Sequence, residues 1–407
     1  MVKLWSIPLS SSLPRTDLAI VGAGVSGCAL AASLRRRGWR GSIELLEIGR
    51  GPGGRAATRY SRQDPELRIN HGAPLFNIRT QTPPELLQAL EQREVISPFR
   101  GSIQSLDGQR SLGPAIEDGF SDGVLWQGRG AMDALAAGLL ELAEAEGGVL
   151  SRRFGTLVRH LRPERSKTGL RWTLENSSGE ALVEARWLVL SGTLLAHPRC
   201  QQVFGWDGIP LEQAAESLAD PQLNAAQAQL ASIEGQASCN LLLTLPPEQA
   251  SAWLALPWQL LQCTPSAQER WGLRRISIQP LAGGRCAVVA ESSPAFAAAH
   301  LHVYGSRSSA AQLLGAKPDP SDEKRVLDAL TQALTDLSGQ TLGDAPRQLM
   351  RWGAAFPLAP GLDPGHSCCP ESAIGFCGDS LAGDGFGRIE GALLSAEDLA
   401  TQLMKQL

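Results

Sequence analysis

The chain is expected to be an α/β protein, α+β overall, in which a Rossmann-like domain is interrupted by an inserted antiparallel-sheet domain. Three observations predict this. Between Thr16 and Glu47 an apolar run, a glycine turn, an alanine-rich helical pattern and a second apolar run follow one another. A short apolar strand ending in Gly378-Asp379, followed by a helical pattern, closes the chain. Between these ends, Cys239–Leu245, Ile276–Pro280 and Arg285–Ala290 look like strands of an antiparallel sheet.

The first unit is read residue by residue. Asp17–Val21 is the strand, and Gly22-Ala-Gly24-Val-Ser26-Gly27 is the turn. A helix through Cys28, Leu30, Ala32 and Leu34 stops at Gly38, and Ile43–Leu46 forms the next strand. Gly22 permits the tight turn, Gly24 lets backbone approach a pyrophosphate, and Gly27 lets helix pack on strand. The free N–H groups and dipole of the helix start favour phosphate. Glu47 ends the second strand, about 20 residues past the turn, where an acid accepts from a ribose 2′-OH and repels a 2′-phosphate. The unit is a dinucleotide-binding βαβ motif.

Composition bounds the rest. The 407 residues are 43% hydrophobic and 19% charged, as in an ordinary globular protein with a sizeable core. A net charge of −4 and a pI near 5.9 give no case for nucleic-acid binding. The eight cysteines form no CxxC pair and read as reduced, buried thiols. His300 and His302 have no acid or thiol nearby in sequence, so no metal site is expected. The N-terminal stretch has no signal-peptide pattern, and no window approaches the roughly 20 apolar residues of a membrane span. A cytoplasmic protein is expected. Arg35-Arg36-Arg37 is read as a solvated helix end.

Directly after the second strand comes Gly51-Pro-Gly53-Gly54-Arg55-Ala-Ala-Thr58-Arg59. Here the chain resembles the FAD-dependent amine-oxidase superfamily, whose second glycine motif (GGR) supports the flavin pyrophosphate. Asn70-His71-Gly72-Ala73-Pro-Leu-Phe76 resembles a segment of its renalase-like branch that passes beside the flavin ring, with Asn70 in place of an acid. The resemblance leaves two roles open for His71: a hydrogen-bond donor near flavin N1 or O2, or a loop histidine satisfied by backbone. Glu85–Arg93 reads as a helix, Val95–Gly113 as short strands, and Gly128–Glu146 as a turn leading into an alanine-rich helix. Arg153–Leu161 reads as a strand, and the resemblance puts backbone at Val158 against adenine. Arg171–Glu175 and Glu184–Leu190 read as a hairpin and returning strand, Leu211–Leu230 and Glu323–Leu337 as helical. Arg351–Pro357 resembles a strand near the substrate cavity. It carries Trp352, read as packing before chemistry, and Phe356.

The closing segment, Gly378-Asp379 and then Arg388-Ile389-Glu390-Gly391-Ala392, resembles the R-V-E-G-A signature of renalase-like proteins. Its longer Gly383–Gly387 loop departs from the family pattern. In that family Gly-Asp contacts the ribityl chain or pyrophosphate, and the last helix points its N–H groups at the flavin N1–C2=O edge, where charge develops on reduction. Cys377 is read as a buried thiol within the strand rather than a flavin attachment point.

The resemblance implies a GR2-type FAD-binding domain from 1–59, 128–197 and 349–407, and a substrate domain from 60–127 and 198–348. It implies non-covalent FAD, hydride transfer from a small electron-rich substrate such as a reduced nicotinamide isomer, and O₂ as acceptor. Catalytic candidates are His71, Trp352 and Phe356, with no acid/base residue assigned. The alternatives are an amine oxidase or desaturase of the same superfamily, and a non-catalytic flavin-binding regulatory or assembly protein. Low aromatic content, with two tyrosines, argues against an aromatic cage for amines.

Overall fold

The computed structural model describes residues 13–167, 169–303, 305 and 319–407. The reading of the N-terminus for a leader falls on residues 1–12, outside those described.

The chain is α/β with one mainly parallel sheet and one mainly antiparallel sheet. In the eight-stranded first sheet, Leu150–Phe154, Ile43–Glu47, Arg15–Val21 and Ala181–Leu190 run parallel in that order. Beyond Ala181–Leu190 the sheet forks. Its first half pairs with the antiparallel hairpin His160–Ser166 and Gly169–Glu175, and its last residues pair parallel with Ile374–Phe376. Both faces are covered, which is why these strands read as continuous apolar runs. Leu18, Ile20, Leu45 and Val189 pack under helices Val25–Arg36, Ala134–Ala145 and Ile389–Leu403. Ala19, Leu46, Leu188 and Leu190 face helices Pro210–Leu218 and Pro221–Ser232.

The second sheet has seven strands, in the order Arg347–Pro357, Gly235–Leu245, Cys286–Ser292, Leu273–Pro280, Leu260–Cys263, Ile103–Leu106 and Leu112–Pro114. Leu241, Leu243, Val288 and Ile276 pack beneath helix Pro320–Ser338. The opposite face carries Leu242 and Val289, which meet Ile69. That second face looks toward the parallel sheet.

Several expectations change. Arg153–Leu161 is no single strand, because Gly155 takes φ +66° and breaks it into Leu150–Phe154 and His160–Ser166. Leu211–Leu230 is two helices. Ala219 turns left-handed, and Asp220 caps a new helix starting at Pro221, accepting from the Gln222 N–H at 2.9 Å. Arg35 is fully buried rather than solvated; its guanidinium donates to the Trp39 and Val149 carbonyls, both at 2.9 Å. Neither sheets nor cores follow the expected domain boundaries. Arg347–Pro357 crosses the 348/349 boundary and pairs along its length with Gly235–Leu245. Helices Pro210–Leu218 and Pro221–Ser232 pack on the parallel sheet, and Phe76–Ile78 packs against helix Ile389–Leu403, which covers that sheet. Burial of apolar faces decided these placements, whatever the order of segments along the chain.

Candidate functional site

The registers of the parallel strands bring their C-terminal ends level: Val21 pairs with Leu46 and with Leu190, and Leu190 pairs with Phe376. The loops that follow, Gly22–Gly27, Glu47–Gly54, Ser191–Thr193 and Cys377–Asp379, therefore meet along one edge. Ligands of open α/β sheets bind in such a crevice. It holds a cavity of about 1370 Å³, which continues to the inner face of the second sheet. Pockets for a single drug-sized molecule span about 300–1,000 Å³, so this one has room for an extended ligand and a second molecule.

The two glycine motifs are one structure. The Gly53 N–H donates to the Ala23 carbonyl at 2.8 Å, and Gly24 and Gly53 form a parallel bridge. Gly22 and Gly53 have φ of +108° and +128°, which L-residues with a side chain avoid. A Cβ on Gly27 would collide with the Gly22 carbonyl, so Gly27 serves packing and does not line the cavity. The helix behind the loop has no side-chain cap at Gly24 and no acid in its first turn. Its initial N–H groups and positive end are thus available to an anion. Ser26 lines the cavity and donates to the Ser191 carbonyl at 3.1 Å.

Glu47 lines the cavity at the end of its strand, and both carboxylate oxygens already accept from backbone: Ala23 N–H at 2.7 Å and Gly49 N–H at 2.5 Å. Each oxygen keeps a second lone pair for a ligand hydroxyl. Val158 lies on the same wall, in the extended link after Gly155.

Arg55 and Asp379, 324 positions apart, form a two-pronged ion pair, with Nη1 to Oδ2 at 2.7 Å and Nη2 to Oδ1; Nη1 also donates to the Ala355 carbonyl at 2.9 Å. The pair ties the second glycine motif, the last parallel strand and the second sheet together. Gly378, with φ +150°, fixes the turn that presents Asp379. The Gly383–Gly387 loop folds back on the last helix. Gly387 N–H donates to the Asp379 carbonyl at 2.8 Å, and Gly391 N–H to the Gly385 carbonyl at 3.2 Å. That helix has no side-chain cap at Arg388, so among the described residues only the Gly391 N–H of its first turn is taken by the loop, and Arg388, Ile389 and Ala392 line the cavity. Arg388 pairs at 2.5 Å with the buried Glu390, whose other oxygen accepts from the Arg79 and Thr80 N–H groups at 2.7 and 2.8 Å.

Gly72-Ala73 does make a close backbone approach, and the partner is the Arg55 carbonyl. Ala73 N–H donates to it at 3.0 Å, and a Cβ on Gly72 would collide with it. Asn70 is structural; its Oδ1 accepts from the Thr58 hydroxyl at 2.7 Å and the Met132 N–H at 2.9 Å. His71 stacks on Trp352 with ring centroids 5.5 Å apart and planes 14° off parallel. Its backbone carbonyl accepts from Asn240 Nδ2 at 2.9 Å, while its buried Nδ1 has no partner. Burial, and after it the Arg59 guanidinium, lowers the His71 pKa to about 4, so the imidazole is neutral at pH 7. Phe356 meets Phe120 edge-on at 5.3 Å, and Arg274 covers its ring at 4.4 Å. Cys377 lies just past its strand, fully enclosed, and burial pushes its thiol up to about 12, which makes it a poor nucleophile.

The cavity therefore brings together every cofactor-binding and catalytic candidate read from sequence except Gly27; Asn70 and Cys377 do not line it. It also contains residues that sequence reasoning missed as site residues. Ser191 packs its hydroxyl on the Val21 and Gly22 carbonyls at 3.1 and 2.8 Å. Asn240, Arg199 and the paired Arg275 and Glu291 join the wall. Ser191-Gly-Thr after an apolar strand was a readable signal; the others carry no local pattern.

Comparison with known proteins agrees with this geometry. Residues 20–92 match the NAD(P)-binding Rossmann-like domain family. No curated protein matches the chain. Among solved structures, cyclohexylamine oxidase from Brevibacterium oxydans IH-35A aligns over 96% of this chain and 99% of its own, with TM-score 0.62 and 14% identity. A protein of Exiguobacterium sp. 255-15, provisionally assigned as a protoporphyrinogen oxidase, aligns over 98% and 100%, with TM-score 0.61 and 14% identity. Wild-type putrescine oxidase bound to putrescine aligns over 96% and 99%, with TM-score 0.56 and 12% identity. The chain thus carries a Rossmann-like dinucleotide-binding signature at its start and shares, over nearly its whole length, the fold of these oxidases.

Proposed function

We propose that the chain is an FAD-dependent oxidoreductase that takes a hydride from a small, electron-rich substrate such as a reduced nicotinamide isomer, with O₂ as acceptor. One observation carries this reading. A single cavity runs from the interlocked glycine loops, past Glu47 and the Arg55–Asp379 pair, to the His71–Trp352 stack on the second sheet.

The residues fit an extended flavin dinucleotide. An uncapped helix start at Val25 and a glycine surface free of Cβ atoms suit a diphosphate. Glu47 retains acceptor capacity for ribose hydroxyls, and the uncapped start of Ile389–Leu403 suits the electron-accepting edge of the ring. A bound flavin would supply hydride acceptance, and the chain supplies position and electrostatics. Trp352 and His71 offer a flat wall against which a planar substrate can stack, and the neutral imidazole adds no charge to it. Asn240 holds the His71 backbone, which fixes the ring's place. Second-sheet residues such as Asn240, Met350 and Trp352 line the cavity's far side.

An amine substrate, as in the cyclohexylamine and putrescine oxidases, is the second reading, favoured by the shared fold. Arg55 and Arg275 of the cavity wall are neutralised by Asp379 and Glu291, but Arg199, which pairs with no carboxylate among the described residues, weighs against a cationic amine. The deciding experiment is an anaerobic absorbance titration of the purified protein with reduced nicotinamides, isomeric forms included. Bleaching by an isomer, with recovery in air and release of peroxide, is the expected result. A colourless protein that takes up no added FAD would refute the proposal.

A further inference from the structure

Arg199 opens the short helix Arg199–Phe204 and lines the cavity. Its segment is held in place by His197, whose Nδ1 accepts from the Arg199 N–H at 2.9 Å and whose Nε2 lies 2.9 Å from the Ile233 carbonyl. The guanidinium leans on the second sheet. A Cβ on Gly235 would stand 3.5 Å from Arg199 Nη1, an ordinary van der Waals contact, which places the guanidinium against this strand; the Cβ's close contact, at 2.9 Å, would be with the Ala354 Cβ.

The carboxylates around it are committed elsewhere. Asp379 is taken by Arg55, and Glu291 by Arg275 at 2.6 Å with Arg274 at 3.8 Å. Glu234, the remaining nearby acid of the wall, is solvent-exposed and makes no ion pair with Arg199. Among the described residues no carboxylate pairs with the Arg199 guanidinium, and a second cation, Arg55, acts on it. Burial, and then Arg55, pulls its pKa below the usual arginine value. A half-buried arginine on the cavity wall without a carboxylate partner is left free for an anion, and a planar anion offers it two parallel hydrogen bonds.

We propose that Arg199 is the recognition group for a carboxylate or phosphate of the substrate, which makes the substrate an anion rather than an amine. This rests on the oxidoreductase reading for the word substrate; the anion site itself does not. The group lies beside Gly235 of the second sheet, whereas the helix start that would hold a cofactor diphosphate is at Val25.

The test uses FAD-treated protein titrated calorimetrically with benzoate, benzamide and benzylamine, in wild type, Arg199→Gln and Arg199→Lys. Benzoate is expected to bind best. Arg199→Gln should weaken it about 10- to 100-fold through loss of charge-assisted bonds, and Arg199→Lys by less. Flavin content and benzamide affinity should not change. Failure of wild type to bind benzoate, equal benzoate affinity in wild type and Arg199→Gln, or tighter binding of benzylamine would each overturn the proposal. Loss of FAD from Arg199→Gln with benzoate binding intact would assign the arginine to the cofactor phosphates instead, and so also overturn it. Protein that never takes up FAD but binds benzoate through Arg199 would defeat the oxidoreductase reading and leave the anion site standing.

Discussion

Replacing Gly24 with alanine separates the protein's needs from those of its ligand. Gly24 has φ −69° and ψ 179°, an extended conformation open to any L-residue. A Cβ built on it has no atom within 4 Å. The protein alone should therefore be indifferent to the change, or gain about 0.4–1 kcal/mol from a less flexible unfolded chain. A diphosphate on the helix start would meet the new methyl and lose at least one charge-assisted bond to backbone N–H, about 1.5–3 kcal/mol. FAD affinity should fall about 10- to 100-fold. Reconstitution of apoprotein followed by flavin fluorescence measures the affinity, and urea unfolding of apoprotein measures the stability. Wild-type FAD affinity in Gly24→Ala would refute the placement of the diphosphate. Gly27→Ala is the contrasting control. Its Cβ collides with the Gly22 carbonyl, so the apoprotein itself should lose about 1–3 kcal/mol.

Three further outcomes are expected. Asp379→Ala unpairs Arg55 and loosens the junction of the glycine motif with the second sheet; flavin occupancy after gel filtration should drop, and wild-type occupancy and redox potential would contradict the assignment. Glu47→Lys removes the acceptor of the Ala23 N–H, at a cost of about 1–3 kcal/mol in apoprotein stability, and lowers FAD affinity beyond that; unaltered flavin content in purified mutant would sink the ribose role. His71 is neutral in the folded protein down to about pH 4 but titrates near its ordinary value of 6.5 when unfolded. The unfolded state then binds the extra proton, so stability should fall as pH drops from about 6.5 to about 4 and flatten below. Denaturation midpoints of His71→Gln should lack that component of the slope.

Local chemistry wrote some parts of this protein plainly. Glycine at 22, 24 and 27, an acid at 47 and apolar runs of strand length declare a βαβ unit because a tight turn, a close phosphate approach and helix-on-strand packing each exclude side chains at fixed spacings. The closing strand with Gly378-Asp379 was legible for the same reason, and so were the long helix Pro320–Ser338 and the antiparallel strands, whose periodicity is local. Proline and glycine marked breaks that were passed over at Pro221 and Gly155, where one residue outweighs the propensity of its neighbours.

Other parts existed only once the chain had folded. No pattern links Arg55 to Asp379, Asn240 to His71, or Arg199 to Gly235; those contacts follow from strand register and sheet order, which bring together residues up to 324 positions apart. Burial reversed the reading of Arg35 and, with the Arg59 guanidinium second, set the charge state of His71, since desolvation depends on surroundings that no side chain carries with it. The amino-acid order thus determined the dinucleotide unit and the fold class, because both rest on short-range sterics. The cavity's polar wall, its domain seams and the arginine left without a carboxylate among the described residues were decided by tertiary packing, because the energy of a charge is a property of everything around it.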